Sequence, residues 1–197
     1  MASGDGMAWD ATAPVILGDV PFIECVASRE VYRNRWLAVR EDQIRRPDGS
    51  TGIYSVVDKP TYALVMPYDG NRFRLVEQFR YPLGARRWEF PQGSAPDHTE
   101  VDPHELAERE LREETGLRAT SIEALGLLDV AAGMTSQRGW VFLATGIVEG
   151  EAEREHEEQD MHSEWFSRAD VEEMMRTGVI VDTQSIAAYG LFLLRER

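Results

Sequence analysis

The segment from Asp102 to Leu117 constrains this chain more than any other, because its ends read as a helix while some of its charges sit on the wrong side of it. Asp102 is placed to cap, Pro103 takes the first helical position where its missing N–H is no loss, and Gly116 supplies a left-handed stop. On a wheel of about 100° per residue with Leu106 as origin, Glu110 falls at about 40°, Glu114 at about 80°, Ala107 at about 100° and Leu111 at about 140°. Two glutamates therefore lie inside the apolar stripe. Glu113 flanks them at about 340°, and Arg109, Arg112, Glu105 and Glu108 take the opposite arc, where solvated charge belongs. Carboxylates three and four residues apart repel one another, and burying them costs several kcal/mol unless something pairs with them. A cluster of divalent cations is one sufficient partner. Hard Mg²⁺ or Mn²⁺ takes carboxylate oxygens and leaves room for phosphate oxygens, whereas no Cys or His set here suits zinc.

Composition narrows the setting. The chain has 197 residues, 43% hydrophobic and 28% charged, which fits one globular domain with room for a small accessory segment. No apolar run approaches the roughly 18 residues that cross a bilayer, so no membrane partner is expected. The amino terminus, with Asp5 and Asp10 and no basic patch before an apolar stretch, does not read as a secretory signal. A lone cysteine, Cys25, makes neither an internal disulfide nor a cysteine-cluster metal site, so the expected compartment is the cytoplasm. The formal net charge of −14, from 35 acids against 21 bases, opposes nonspecific nucleic-acid binding and requires local screening of any phosphate ligand. Lys59 is the only lysine; the excess of Arg carries no functional weight, since codon usage explains it equally well.

Along the chain, residues 1–20 read as a loose lead-in, 21–58 as an N-terminal β unit and 59–197 as the main domain. Extended segments at 36–39 and 53–57 flank a turn at Pro47-Asp48-Gly49-Ser50. A second hairpin joins 62–66 to 73–79 through Asp69-Gly70-Asn71. A short strand at 88–90 precedes the helix, and strands near 122–130, 140–147 and 163–166 follow it. Ser167 to Asp170 has the pattern of a capping box opening a helix that Gly178 closes. The last helix, 183–195, is expected to bury Ile186, Tyr189, Gly190, Leu193 and Leu194. The sum is an α+β domain, a mixed sheet with helices on its faces, and no solenoid repeat is visible.

Arg109-Glu110-Leu111-Arg112-Glu113-Glu114-Thr115-Gly116-Leu117 resembles the second half of the Nudix box, whose pattern is Gly, five residues, Glu, seven residues, then Arg-Glu-aliphatic-x-Glu-Glu-x-Gly-aliphatic. The first half departs from it. The pattern wants Gly at 95 and Glu at 101, where Ala95 and Val101 stand; Gly93 is the natural box glycine, which makes the loop to Arg109 two residues longer. Either Glu100 replaces the missing acid or nothing does. The resemblance implies an α/β/α sandwich with a mixed sheet, metal ligands at Glu110, Glu113 and Glu114, completion of the coordination by the Gln92 carbonyl, and Arg109 and Gly116 in structural roles within the motif.

From about residue 29 onward the chain is most similar to ADP-ribose pyrophosphatases and related nucleoside-diphosphate-sugar hydrolases. Glu77-Gln78-Phe79-Arg80 matches their Glu-Gln-x-Arg segment, and residues 88–93 match their Trp-Glu-x-Pro-x-Gly lead-in. That likeness implies diphosphate contact by Arg80, substrate-binding parts for Glu89 and Gln137, and an N-terminal β unit that dimerises the protein and lends Trp36 and Tyr54 to the base pocket. One departure concerns catalysis. The family segment similar to Gly-x-Thr-Ser-Glu is here Gly133-Met134-Thr135-Ser136-Gln137, with Ala132 before it, and an amide cannot take a proton from water. Either another carboxylate does so or the substrate differs. The acidic run from Glu149 to Asp160 offers Glu157 and Glu158, which with Glu113 make up the catalytic candidates, and Asp160. His98, His104, His156 and His162 lack metal-ligand spacing, Ser136 has no partnered His, and no phosphate-cradling Gly-rich loop is present.

The expected activity is Mg²⁺- or Mn²⁺-dependent hydrolysis of the pyrophosphate of a nucleoside diphosphate linked to a sugar, ADP-ribose first, by a homodimer. Alternatives are a dinucleoside-polyphosphate or capped-RNA pyrophosphohydrolase, which the Phe-Pro-Gln-Gly lead-in also resembles, and a catalytically silent module that senses a nucleotide sugar.

Overall fold

A computed structural model describes residues 22–95, 101–153 and 159–196. The lead-in expected at 1–20 lies outside these residues, as do His98, Glu100, His156, Glu157 and Glu158.

Strands β1 (Glu24–Arg33), β2 (Ala38–Arg45) and β3 (Thr51–Asp58) form an antiparallel sheet with β2 in the middle. The turn expected at 47–50 is there, closed by Arg46 N donating to Ser50 O at 2.8 Å. Strand β1 has no counterpart in the sequence pattern. All ten of its residues are exposed, so no alternation of burial exists to be read; its backbone ladder to β2, from Glu24 opposite Arg45 to Arg33 opposite Ala38, makes it a strand.

The main domain runs β4 (Tyr62–Pro67), β5 (Arg72–Arg80), a 3-10 turn (Tyr81–Leu83), β6 (Ala85–Glu89), β7 (Gln92–Ser94), α1 (Pro103–Thr115), β8 (Arg118–Asp129), β9 (Arg138–Val148), β10 (His162–Ser167), α2 (Arg168–Arg176) and α3 (Thr183–Arg195). One sheet has the order β7-β4-β9-β8 and is mixed, because β4 and β9 run parallel. A second, β10-β5-β6, is antiparallel. Strand β4 is buried along its whole length, and its period of two serves two cores at once. Tyr62, Leu64 and Met66 face Ala188, Tyr189 and Phe192 of α3, while Ala63 and Val65 face Leu106, Ala107 and Leu111 of α1. Helices on both faces of a mixed sheet are the layered α+β arrangement the sequence predicts.

Helix α1 begins and ends where its residues say. The Asp102 carboxylate accepts from His104 N and Glu105 N, and Gly116, at φ +75°, returns its N–H to Arg112 O. Ser167 and Asp170 cap α2 reciprocally. Helix α3 departs from expectation. Its buried residues are Ser185, Ala188, Tyr189 and Phe192, whereas Ile186 and Leu194 are 44% and 63% exposed. The helix is turned by a polar contact that hydropathy cannot see: Ser185 Oγ accepts from Phe90 N at 2.9 Å, inside the core. Phe192 then joins Tyr68, Phe73 and Tyr189 in an aromatic cluster. No helix among the described residues is long and apolar enough to cross a membrane.

Gly116 also sets how closely the chain after β9 approaches α1. A Cβ there would lie 2.5 Å from Gly150 O and 2.7 Å from Ala152 N, and the left-handed conformation alone costs a side chain about 1–2 kcal/mol. Gly116→Ala is expected to lower the unfolding free energy by about 2 kcal/mol or more, seen as a lower urea midpoint at unchanged slope.

Candidate active site

The inward glutamates of α1 are buried: Glu110 is 6% exposed and Glu114 is 1% exposed. Both reach the short strand β7, which pairs with β4 through Leu64 opposite Gln92. Gln92 N donates to Glu114 Oε2 at 3.2 Å. Gly93 packs beneath the Glu110 carboxylate so closely that a Cβ would lie 2.6 Å from Glu110 Cδ, so a side chain at 93 would displace that carboxylate from its present position. Glu113, one position along, is half-buried between Arg109 Nε at 3.6 Å and Arg112 Nη2 at 3.9 Å. Arg109 also reaches Glu110 Oε1 at 3.5 Å. It thus braces two of the three acids from the solvent side.

Among the described residues no three acidic, histidine or cysteine side chains already close on a point as a metal cluster. The donor chemistry nonetheless suits a hard divalent ion. Glu110 and Glu114 present carboxylate oxygens from successive turns to one stretch of backbone at Gln92 and Gly93, and Glu113 stands beside them.

That backbone forms one side of a cleft of about 450 Å³ whose lining includes Lys59, Arg80, Glu89, Gln92, Gln137 and Asp182. Glu89 organises it. Its carboxylate, 1% exposed, accepts from Gln78 Nε2 at 2.6 Å and from Arg80 Nη2 at 2.5 Å and Nε at 3.3 Å, with Gln92 Nε2 at 3.5 Å. Burial pushes its pKa up from the ordinary value near 4.5 to about 7; Arg80 pulls it down and the nearby Asp182 carboxylate pushes it up. Asp182 caps α3 by accepting from Ser185 N at 2.8 Å and also takes Gln92 Nε2 at 3.2 Å. The Gln78 and Gln92 amides and the Arg80 guanidinium therefore meet at the Glu89 carboxylate, and Gln92 links it to the Asp182 cap of α3.

Of the residues singled out from sequence, Arg80, Glu89, Gln92, Gly93 and Gln137 share this cleft. Trp36 and Tyr54 are not in its lining. Trp36 lies under the Arg35 guanidinium at 4.6 Å, and the Tyr54 hydroxyl donates to Gly133 O at 3.0 Å. Gln137 lines the cleft with its amide engaged, Nε2 donating to Pro60 O at 3.0 Å. The acidic run starts beside α1, where Glu153 meets Arg112 at 3.3 Å, while Asp160 is held on β6 by Arg86 at 2.7 Å. Sequence reasoning missed Lys59, Arg87 and Asp182 as cleft residues. Asp182 carried a signal, an Asp immediately before a helix; Lys59 carried only its rarity.

Two family models match successive parts of this chain. Residues 58–187 match the model of the NUDIX domain, and residues 23–57 match that of the nucleoside diphosphate sugar hydrolase N-terminal domain. The chain is 37% identical over 166 residues to an ADP-ribose pyrophosphatase of Mycobacterium tuberculosis (strain ATCC 25618 / H37Rv), covering 83% of this chain and 80% of that one. It is 28% identical over 153 residues to a CMP-5'-(N-acetyl-N-hydroxy-3-aminopropyl)phosphonate hydrolase of Streptomyces rubellomurinus (strain ATCC 31215), covering 76% and 72%. In fold it is similar to the crystal structure of an ADP compounds hydrolase, with a TM-score of 0.77 over 91% of this chain and 95% of that one at 19% identity.

The raised pKa of Glu89 makes stability depend on pH in a definite direction. Folded Glu89 holds its proton more tightly than the unfolded chain does, so its contribution weakens as pH climbs from about 4.5 to about 7 and levels off above. In EDTA, Glu89→Gln is expected to remove that slope. Urea unfolding of both proteins at pH 5 and pH 8 checks it: the wild type should lose up to about 3 kcal/mol more than the variant over that interval.

Proposed function

The chain belongs to the NUDIX domain family, and from that premise we propose that this pyrophosphohydrolase cleaves the diphosphate of a nucleoside diphosphate linked to a sugar, ADP-ribose first. One observation carries the reading. Arg80, a planar fork suited to diphosphate oxygens, lines the same cleft as the Gln92–Gly93 backbone on which Glu110 and Glu114 converge. The likeness to the mycobacterial ADP-ribose pyrophosphatase supports the choice of substrate.

Glu110, Glu113 and Glu114, with the Gln92 carbonyl, are the residues to hold a divalent ion, Mg²⁺ or Mn²⁺. Bound there, the ion offsets the diphosphate charge and acidifies the attacking water. Arg80 binds the diphosphate, and Glu89 keeps the guanidinium aimed through the 2.5 Å contact. Arg109 spaces Glu110 and Glu113. The proton of the attacking water goes to a carboxylate, Glu113, Glu157 or Glu158, because the Gln137 amide cannot accept it. Two copies pair through the N-terminal sheet, which brings Trp36 and Tyr54 to the base. The exposed apolar side chains of Val26, Val31, Tyr32 and Ile53 support that pairing.

Formation of nucleoside monophosphate from ADP-ribose, other nucleotide sugars and dinucleoside polyphosphates, followed by chromatography, tests the proposal. Turnover of a nucleotide sugar is expected with Mg²⁺ or Mn²⁺ and is lost in EDTA. Glu114→Gln should cut kcat by more than about a hundredfold, because it removes a buried anionic ligand; undiminished hydrolysis in that variant overturns the metal assignment. Sedimentation should show a dimer.

A further inference from the structure

Lys59 stands between two anchored residues. Asp58, before it, accepts from Ser136 Oγ at 2.8 Å and from Arg40 Nε at 2.8 Å. Pro60, after it, gives its carbonyl to Gln137 Nε2. The adjoining backbone is laced to the same loop, with Val57 N donating to Met134 O at 2.9 Å and Ser136 N to Val57 O at 3.2 Å. The end of β3 and the loop before β9 therefore behave as one unit, and Lys59 is presented from it into the cleft.

Its electrostatic setting is unusual for this chain. With a net charge of −14, acids are abundant, yet among the described residues Lys59 forms no ion pair. Partial burial, and after it the Arg80 charge, hold its pKa below the ordinary value. Arg80 is paired with Glu89, whereas Lys59 has no such pair among the described residues. Two cations that repel across one cleft gain from an anion placed with both of them.

Resting on the activity proposed above, we propose that Lys59 binds the diphosphate oxygens of the substrate together with Arg80, and that Gln137 is the positioning residue that aims it. The amide at 137 then has a physical reason. A carboxylate there has no proton to give Pro60 O and sets negative charge against that carbonyl, so the tether would open. The loop segment that in similar proteins carries a glutamate serves here to hold a cation.

The test uses the full chain with ADP-ribose and Mg²⁺, comparing the wild type with Lys59→Ala, Lys59→Arg, Gln137→Glu and the Lys59→Ala/Gln137→Glu double variant. Calorimetric binding of ADP-ribose and of ADP in EDTA runs alongside. Removal of a charge-assisted contact should raise KM and Kd by about tenfold while kcat changes little. Lys59→Arg should restore most of the loss. Gln137→Glu should raise KM as well, and adding it to Lys59→Ala should cost little more, since both act on one contact. Unchanged KM and Kd in Lys59→Ala overturn the inference, and so does a gain in kcat from Gln137→Glu, which would make position 137 a proton-accepting site. A wild type that binds ADP-ribose but hydrolyses nothing overturns the enzyme reading alone, because the effect of Lys59 on Kd is still read. A wild type that binds neither nucleotide overturns both.

Discussion

Everything at this site depends on two carboxylates turned inward on one helix. Glu110 and Glu114 are nearly as buried as the leucines beside them, and a helix surface that carries unpaired charge into a core is unstable unless the neighbouring backbone and a ligand answer it. The answer built into the chain is β7. Its Gln92 N–H meets Glu114, and its Gly93 has no side chain to keep Glu110 away. The Gly116 stop and the tight passage of residues 150–152 across it hold α1 from the other end. Placement of the carboxylates is therefore a packing property, and the proposed cation site rests on it.

A further buried carboxylate, Glu89, organises the cleft on the other side of β7. It is the point where Gln78, Arg80 and Gln92 meet, and it sits beside the Asp182 cap of α3. Phe90 N is tied to Ser185 Oγ, which joins the strand lead-in to α3 next to the Glu89 carboxylate that holds Arg80. The raised pKa of Glu89 is a consequence of that burial.

The last strand of the N-terminal sheet leads into the cleft. Tyr54, Val57, Asp58 and Pro60 all bond to the segment 133–137. A loop so held cannot also swing a general base freely toward a substrate, and the amide at 137 is consistent with a fixed tether.

The sequence alone determined α1, its caps and the inward face of its glutamates, because those depend on residues within a few turns of one another, where helical geometry leaves little freedom. It also determined the mixed sheet with helices on both faces, through β4's unbroken apolar run and the capping residues of α2. The face of α3 was not legible there, since a serine outranked larger apolar side chains through one bond to a residue 95 positions away. Strand β1 was not legible because exposure on both faces erases the period. Lys59 had no local signature at all. Only the tertiary structure set it beside Arg80 and tethered both its flanks, because charge proximity across distant segments depends on how the chain closes and leaves no trace in local spacing.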